Sequence, residues 1–153
     1  MRFCLIDFES ASACDLKKSG AWVYAEHPTT EILCLGYSID GSEPRILTPF
    51  NSFKEYTHLE FRKAVDDPDA MFVAHNAFFE KCIWRNIMVP VYGWPDIPNE
   101  RWHDIMAVCA HKALPLKLER AAMALRLPQQ KDTGGTKVTL SLNRTDKRGY
   151  YAK

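Results

Sequence analysis

The run Arg2–Ile6 (RFCLI) is short, largely apolar and rich in strand-forming residues, and it breaks off abruptly into Asp7-Phe8-Glu9. A segment of this kind reads as a buried strand, so the chain must build a sheet around it and leave two carboxylates at the strand's C-terminal end. In extended backbone alternate side chains share a face, and Asp7 and Glu9 therefore project together. Such a pair repels unless a cation joins it, and hard carboxylate oxygens suit Mg2+ or Mn2+, which keep coordination positions open for water and phosphate. Taken alone, Asp-x-Glu equally describes a solvated strand end.

The rest of the chain supplies partners for that strand. Glu31–Ile39 (EILCLGYSI) and Pro44–Thr48 (PRILT) read as two further strands joined through the turn residues Asp40-Gly41-Ser42, so the opening is expected to be a three-stranded antiparallel meander. Tyr56–Val65 has Leu59, Phe61 and Val65 near helical spacing, Asp66-Asp67-Pro68-Asp69 breaks it, and Ala70–Ala74 (AMFVA) returns as a buried strand. The expected order is β-β-β-α-β. Phe79, Cys82, Ile83 and Ile87 recur on one side of a helix over Phe78–Met88. Val89–Glu100, with Pro90, Pro95 and Pro98, reads as a loop. Two helices are expected over His103–Ala113 and Leu116–Leu127, separated by Pro115 and closed by Pro128. Beyond them lies a polar loop, the ambiguous KVTLSL segment, and a basic, polar tail expected to fray.

A second cluster sits where the AMFVA strand runs into a helix, at His75-Asn76-Ala77-Phe78-Phe79-Glu80. Glu80 falls in a helix first turn, where the helix dipole favours a carboxylate whether or not it has a chemical task. Asn76 has an ordinary role as a cap or turn residue. Phe78 and Phe79 read by default as core.

Composition narrows the classes without choosing among them. With 153 residues, 46% of them hydrophobic and 25% charged, the chain has the size of one globular domain with a real core. No apolar run approaches the roughly 20 residues needed to cross a bilayer, and the start lacks a signal-like pattern, so no membrane association and a cytoplasmic location are expected. A formal net charge of +1 does not by itself demand a nucleic-acid partner. The five scattered cysteines include no C-x-x-C pair and read as reduced thiols. Cys109 and His111 point to different faces of their helix, one as core and one as surface. There is no G-x-S-x-G elbow, Walker loop or G-x-G-x-x-G.

The segments LIDFES, YAEHPTTEILCLGYSID, AHNAFFEKCIW and WHDIMAVCAHKALPLKLERAAMAL, in this order, resemble the DEDD-type 3'-to-5' exonuclease domain of phage family A DNA polymerases. The resemblance runs over approximately Arg2–Lys131. It implies an α/β, ribonuclease H-like fold: a mixed sheet of three antiparallel strands and then a parallel strand, flanked by helices. It further implies that Asp7, Glu9 and Glu80 are the catalytic acids and hold two Mg2+ or Mn2+ ions. His75 and Asn76 would shape the site, and Phe8 and Phe79 would lie against the terminal nucleotide of a single-stranded DNA 3' end. Glu80 stands where the family usually has Asp. The host cytoplasm is the implied setting for a phage-encoded chain.

The resemblance fails at one point. The family's third motif, Tyr-x-x-x-Asp or His followed by Asp on a late helix, is not found: Asp146 is preceded at the required spacing by Leu142, Tyr150 and Tyr151 have no acid after them, and Asp104 and Asp132 lack the pattern. The expectation is therefore an exonuclease-like domain over residues 1–131, incomplete at its C-terminus, followed by a partly flexible extension over 132–153. A polymerase or a second chain would supply the missing motif. A catalytically inactive nucleic-acid-binding module of the same descent, and an unrelated α/β scaffold with no metal at Asp7 and Glu9, are the competing expectations.

Overall fold

The computed structural model describes residues 1–49, 53 and 58–128. The expected C-terminal extension and the KVTLSL segment lie outside the described residues, as do Asp132, Asp146, Tyr150 and Tyr151. Five strands form one sheet: β1 (Arg2–Ala11), β2 (Glu31–Ile39), β3 (Arg45–Leu47), β4 (Ala70–Ala74) and β5 (Trp102–Asp104), in the order β3-β2-β1-β4-β5. β2 is antiparallel to both β1 and β3, while β4 runs parallel to β1 and β5 parallel to β4. This is a mixed α/β arrangement of the ribonuclease H-like kind, as expected.

The hairpin between β2 and β3 starts where the sequence places it. Asp40 and Gly41 both take positive φ, 51° and 78°, and the Ser42 N–H returns to the Ile39 carbonyl at 2.9 Å. Successive left-handed residues match the twist of the flanking strands, which is why Asp-Gly works there.

Several expected boundaries shift. β1 does not stop at Ile6 but continues through the acids to Ala11, with an irregularity in its pairing between Glu9 and Ser10. β1 and β2 are not joined directly: a helix α1 (Leu16–Glu26) intervenes, broken at Gly20, whose φ of 79° and ψ of 166° are not helical. That glycine in mid-segment, a residue that weakens a helix, hides the helical signal that Asp15 announces by capping the Lys17 and Lys18 N–H groups at 3.0 and 3.4 Å. Helix α2 spans Leu59–Asp66, and α3 (Ala77–Ile83) passes through a π turn (Trp84–Met88) into α4 (Val89–Tyr92). Val89–Tyr92, the start of the loop expected over Val89–Glu100, is helical, and Pro90 does not break it. Pro90 sits in the first turn of α4, where its missing N–H costs little, and the widened π turn just before it leaves room for its ring. His103 and Asp104, expected to be helical, pair with Val73 and Ala74 as β5 before α5 (Ile105–His111) and α6 (Leu118–Ala124).

One sheet face makes the core. Cys4, Ile6 and Phe8 of β1 are buried there, while Phe3 and Leu5 on the alternate positions are 45% and 48% exposed, so β1 is half-buried rather than enclosed on both faces. Against the buried face, Phe61, Phe72, Trp84, Trp94 and Trp102 form a continuous aromatic cluster with centroid separations from 5.4 to 6.4 Å. The buried Arg101 side chain spans this layer, donating to the Ala64, Val65 and Ala70 carbonyls at 2.9–3.0 Å. It thereby satisfies backbone acceptors at the end of α2 that would otherwise be stranded away from water. Cys109 is buried and His111 exposed, as expected.

Candidate active site

The acids gather at the C-terminal ends of β4 and β5 and on the adjoining stretch of β1. Asp7 and Glu9 occupy alternate exposed positions of β1, opposite Gly36 and Cys34 of β2. Glu80 arrives from α3. Its position in the first turn of α3, one helix turn after the β4 strand, turns its carboxyl inward, and it is only 3% exposed.

Glu80 is the most perturbed carboxyl of the cluster. Burial pushes it up to about 8, against a weaker opposing bond from its own backbone, and the negative charges of Asp7 and Asp104 push in the same direction as burial. Its Oε2 has no hydrogen-bond partner. A buried carboxylate oxygen without a donor costs about 1–3 kcal/mol or more, and proteins retain such groups where something else completes them. The donor chemistry is that of a hard divalent cation. Among the described residues, however, no three His, Cys, Asp or Glu side chains stand close enough together to make a ligand set as arranged.

The turn that presents Glu80 is held from outside the motif. Asn76 adopts left-handed backbone, φ 65° and ψ 52°, and its side chain makes no capping bond to α3. The Asp104 carboxylate instead accepts the Asn76 N–H and the Met106 N–H, each at 2.9 Å, so one side chain both fastens the β4–α3 turn and caps α5. Asn76 thus contributes to the site through its backbone. His75, beside it, has a buried Nδ1 with no protein partner and shares with Asp7 a pocket of about 400 Å3, walled by Leu5, Val73, Ile105 and Leu118.

A second cleft, of about 520 Å3, is lined by Phe8, Glu9, Asp15, Lys17, Tyr24 and Phe79. Phe79 is half-buried with its ring 6.1 Å from that of Tyr24. Phe8 is 4% exposed and packs towards Trp84, centroids 6.3 Å apart. Phe78, expected in the core, is 56% exposed, because Ala77, Glu80, Cys82 and Ile83 take the inward side of α3.

The structure therefore brings Asp7 and His75 to one pocket, Glu9, Phe8 and Phe79 to another, and Glu80 within reach of Asp7's charge. Asp104 lacks the third-motif pattern, and although its cap on α5 is local, its bond to the Asn76 N–H depends on strand pairing that no local pattern reveals. Sequence reasoning also passed over Tyr92 and Asp96, which have the Tyr-x-x-x-Asp spacing. These lie in α4 and the loop leading into β5, on the approach to the strand rather than at its acid end, and Asp96 is engaged by the Ile97 N–H at 2.9 Å and the Arg85 guanidinium at 3.4 Å.

Over 136 residues, 88% of its length, the chain is 29% identical to the DNA polymerase of Bacillus phage SP02. The chain is similar to a phage DNA polymerase. It spans 20% of that relative's length, so the match concerns one segment of a much larger protein. The similarity supports a polymerase-related domain. No protein-family model matches the chain. Among the described residues no helix is long and apolar enough to cross a membrane.

Proposed function

We propose that this chain is a metal-dependent 3'-to-5' exonuclease domain of the proofreading type, acting on single-stranded DNA 3' ends and weak on its own. The observation that carries the reading is the buried, partnerless Oε2 of Glu80 in the first turn of α3, where burial first and then the charges of Asp7 and Asp104 raise its proton affinity. A carboxyl held in that state gains most from a cation that takes the place of its proton. Similarity to a phage DNA polymerase gives that chemistry a context.

Asp7, Glu9 and Glu80 are the residues that would hold Mg2+ or Mn2+. When bound, a pair of such ions activates a water and neutralises charge on the leaving oxygen in phosphodiester hydrolysis. The chain's own residues do the rest: Asp104 fixes the turn from which Glu80 projects, and Phe79 offers a ring face on which a terminal base can stack, an interaction indifferent to sequence. His75, whose buried Nδ1 has no hydrogen-bond partner, lines the same pocket as Asp7.

No late helix bearing Tyr-x-x-x-Asp lies among the described residues, and this favours a second reading, a nucleic-acid-binding module without activity. A polymerase or second chain that supplied the fourth acid would reconcile the two. The deciding experiment follows a 5'-labelled single-stranded oligonucleotide with Mn2+, for the parent and for Asp7→Ala. Stepwise shortening from the 3' end that disappears in the variant supports the exonuclease; binding without shortening, even at high protein and Mn2+, leaves the module.

A further inference from the structure

The two faces of the sheet are finished differently. One packs against the aromatic core, whereas the other keeps its apolar side chains largely open to water. Residues directly opposite one another in neighbouring strands share a face, and the register therefore collects Phe3 and Leu5 of β1, Ile46 of β3 and Met71 and Val73 of β4 on this open side. On β2 the same side has only Ser38 and Gly36, opposite Leu5 and Asp7, so a trough is left between the larger side chains. Leu5, Asp7, Gly36, Ser38 and Val73 line the 400 Å3 pocket, and Leu118 of α6 closes it from above the sheet. Phe3, Leu5, Ile46 and Leu118 nevertheless remain 45–63% exposed. A contiguous apolar surface of this kind marks a place where polypeptide docks.

Charge and reach decide what fits there. Asp7 and Glu9 project from this same face, so a second copy of the chain would set two pairs of carboxylates against each other. The residues that follow α6 have the complementary character. Residues 129–153 hold six Lys and Arg against two Asp, while the whole chain is only +1, so residues 1–128 are net negative. Within that basic stretch Val138, Leu140 and Leu142 alternate with Thr139 and Ser141, between Lys137 and Arg144. Leu118 stands about 9 Å along the helix from the end of α6 at Ala124, and the residues from Pro128 to Val138 can extend about 33 Å, enough to return to the pocket. Gly134-Gly135 lies on that path, where a reversal of direction is cheapest.

We propose that residues 138–142 fold back over the open face of the sheet and pack Val138, Leu140 and Leu142 against Leu5, Val73 and Leu118, with Lys137 and Arg144 meeting the acidic rim at Asp7 and Glu9. The apolar trough selects the alternating side chains, and the acids at its edge select their basic flanks. The proposal needs no metal and no nucleic acid, and it does not rest on the exonuclease reading.

The test follows thermal unfolding of residues 1 to 153 in EDTA for the parent, Leu118→Ala, Leu140→Ala and the double variant, with Val91→Ala on α4 as a similarly exposed comparison. Leu118→Ala and Leu140→Ala should each lower the melting temperature by about 3 °C or more and Val91→Ala by less than about 1 °C. The double variant should lose clearly less than the two single losses together, because both remove one shared contact. Hydrogen exchange gives an independent reading: the amides of residues 138–142 should exchange more slowly in the parent than in Leu118→Asp. Sedimentation should show a monomer at every concentration. A parental melting temperature in Leu140→Ala, or losses at 118 and 140 that simply add, overturns the proposal. A dimer that Leu118→Asp dissociates also overturns it and assigns the face to a second copy. These readouts are taken without metal or DNA, so their failure and the failure of the exonuclease reading are seen separately.

Discussion

The carboxylate of Asp104 accepts the backbone N–H of Asn76 at 2.9 Å, tying the end of β5 to the left-handed residue from which α3 and Glu80 project. A short polar side chain tolerates this backbone geometry better than others, and a bond to its N–H offsets what strain remains. Asp104→Ala removes both this bond and the α5 cap and is expected to cost about 1–2 kcal/mol in urea unfolding. Asp104→Asn keeps an acceptor oxygen and should cost less. Asn76→Gly should be tolerated, whereas Asn76→Val, β-branched at φ 65°, should destabilise by at least as much as Asp104→Ala.

Glu80 makes stability depend on pH in a defined direction. Its carboxyl is raised from 4.5 to about 8 in the folded chain, so between those values the folded state holds a proton that the unfolded state has released. Its contribution is fully retained below about pH 4.5 and is lost as pH rises towards 8, at up to about 1.4 kcal/mol per pH unit. In EDTA, unfolding free energies should therefore fall across that window, and Glu80→Gln, which cannot ionise, should flatten this part of the profile. An identical slope in parent and variant would refute the assignment.

Divalent cations should oppose that loss. A ligand that binds only the folded state stabilises it by about 2.7 kcal/mol at a hundred times its Kd, so Mn2+ should raise the melting temperature, and more so at pH 8 than at pH 5, where the proton on Glu80 competes. Asp7→Ala should lose the increment. If it gains as much from Mn2+ as the parent, the ion binds elsewhere.

Activity should be limited by the fourth carboxylate. Losing one preorganised charge-stabilising group costs on the order of a hundredfold in rate, so the chain alone should shorten single-stranded DNA slowly or undetectably, and faster with Mn2+ than with Mg2+. Adding a segment that carries a Tyr-x-x-x-Asp helix, fused or as a separate peptide, should raise the rate at least tenfold. Fast Mg2+-dependent digestion by residues 1 to 153, lost in Asp7→Ala, would mean that another acid already fills that role, with Asp132 and Asp146 the first to replace.

What the sequence determined by itself was local and periodic. Alternation in RFCLIDFE put Asp7 and Glu9 on one face, Asp40-Gly41 set a turn that only left-handed backbone can make, and the break between AMFVA and the following helix placed Glu80 in a first turn. Those features follow from backbone geometry over a few residues, which nearby residue types are enough to dictate. Tertiary structure decided the rest. β5 is three residues long and exists because β4 offers it a partner; α1 survives a central glycine because Tyr24 and Ala25 are buried; Pro90 stays helical because a π turn makes room. The burial of Glu80, its raised proton affinity and its dependence on Asp104 all arise from groups far apart in the chain and close in space. Desolvation and charge act through distance, not sequence separation, so these properties become legible only once the chain has folded.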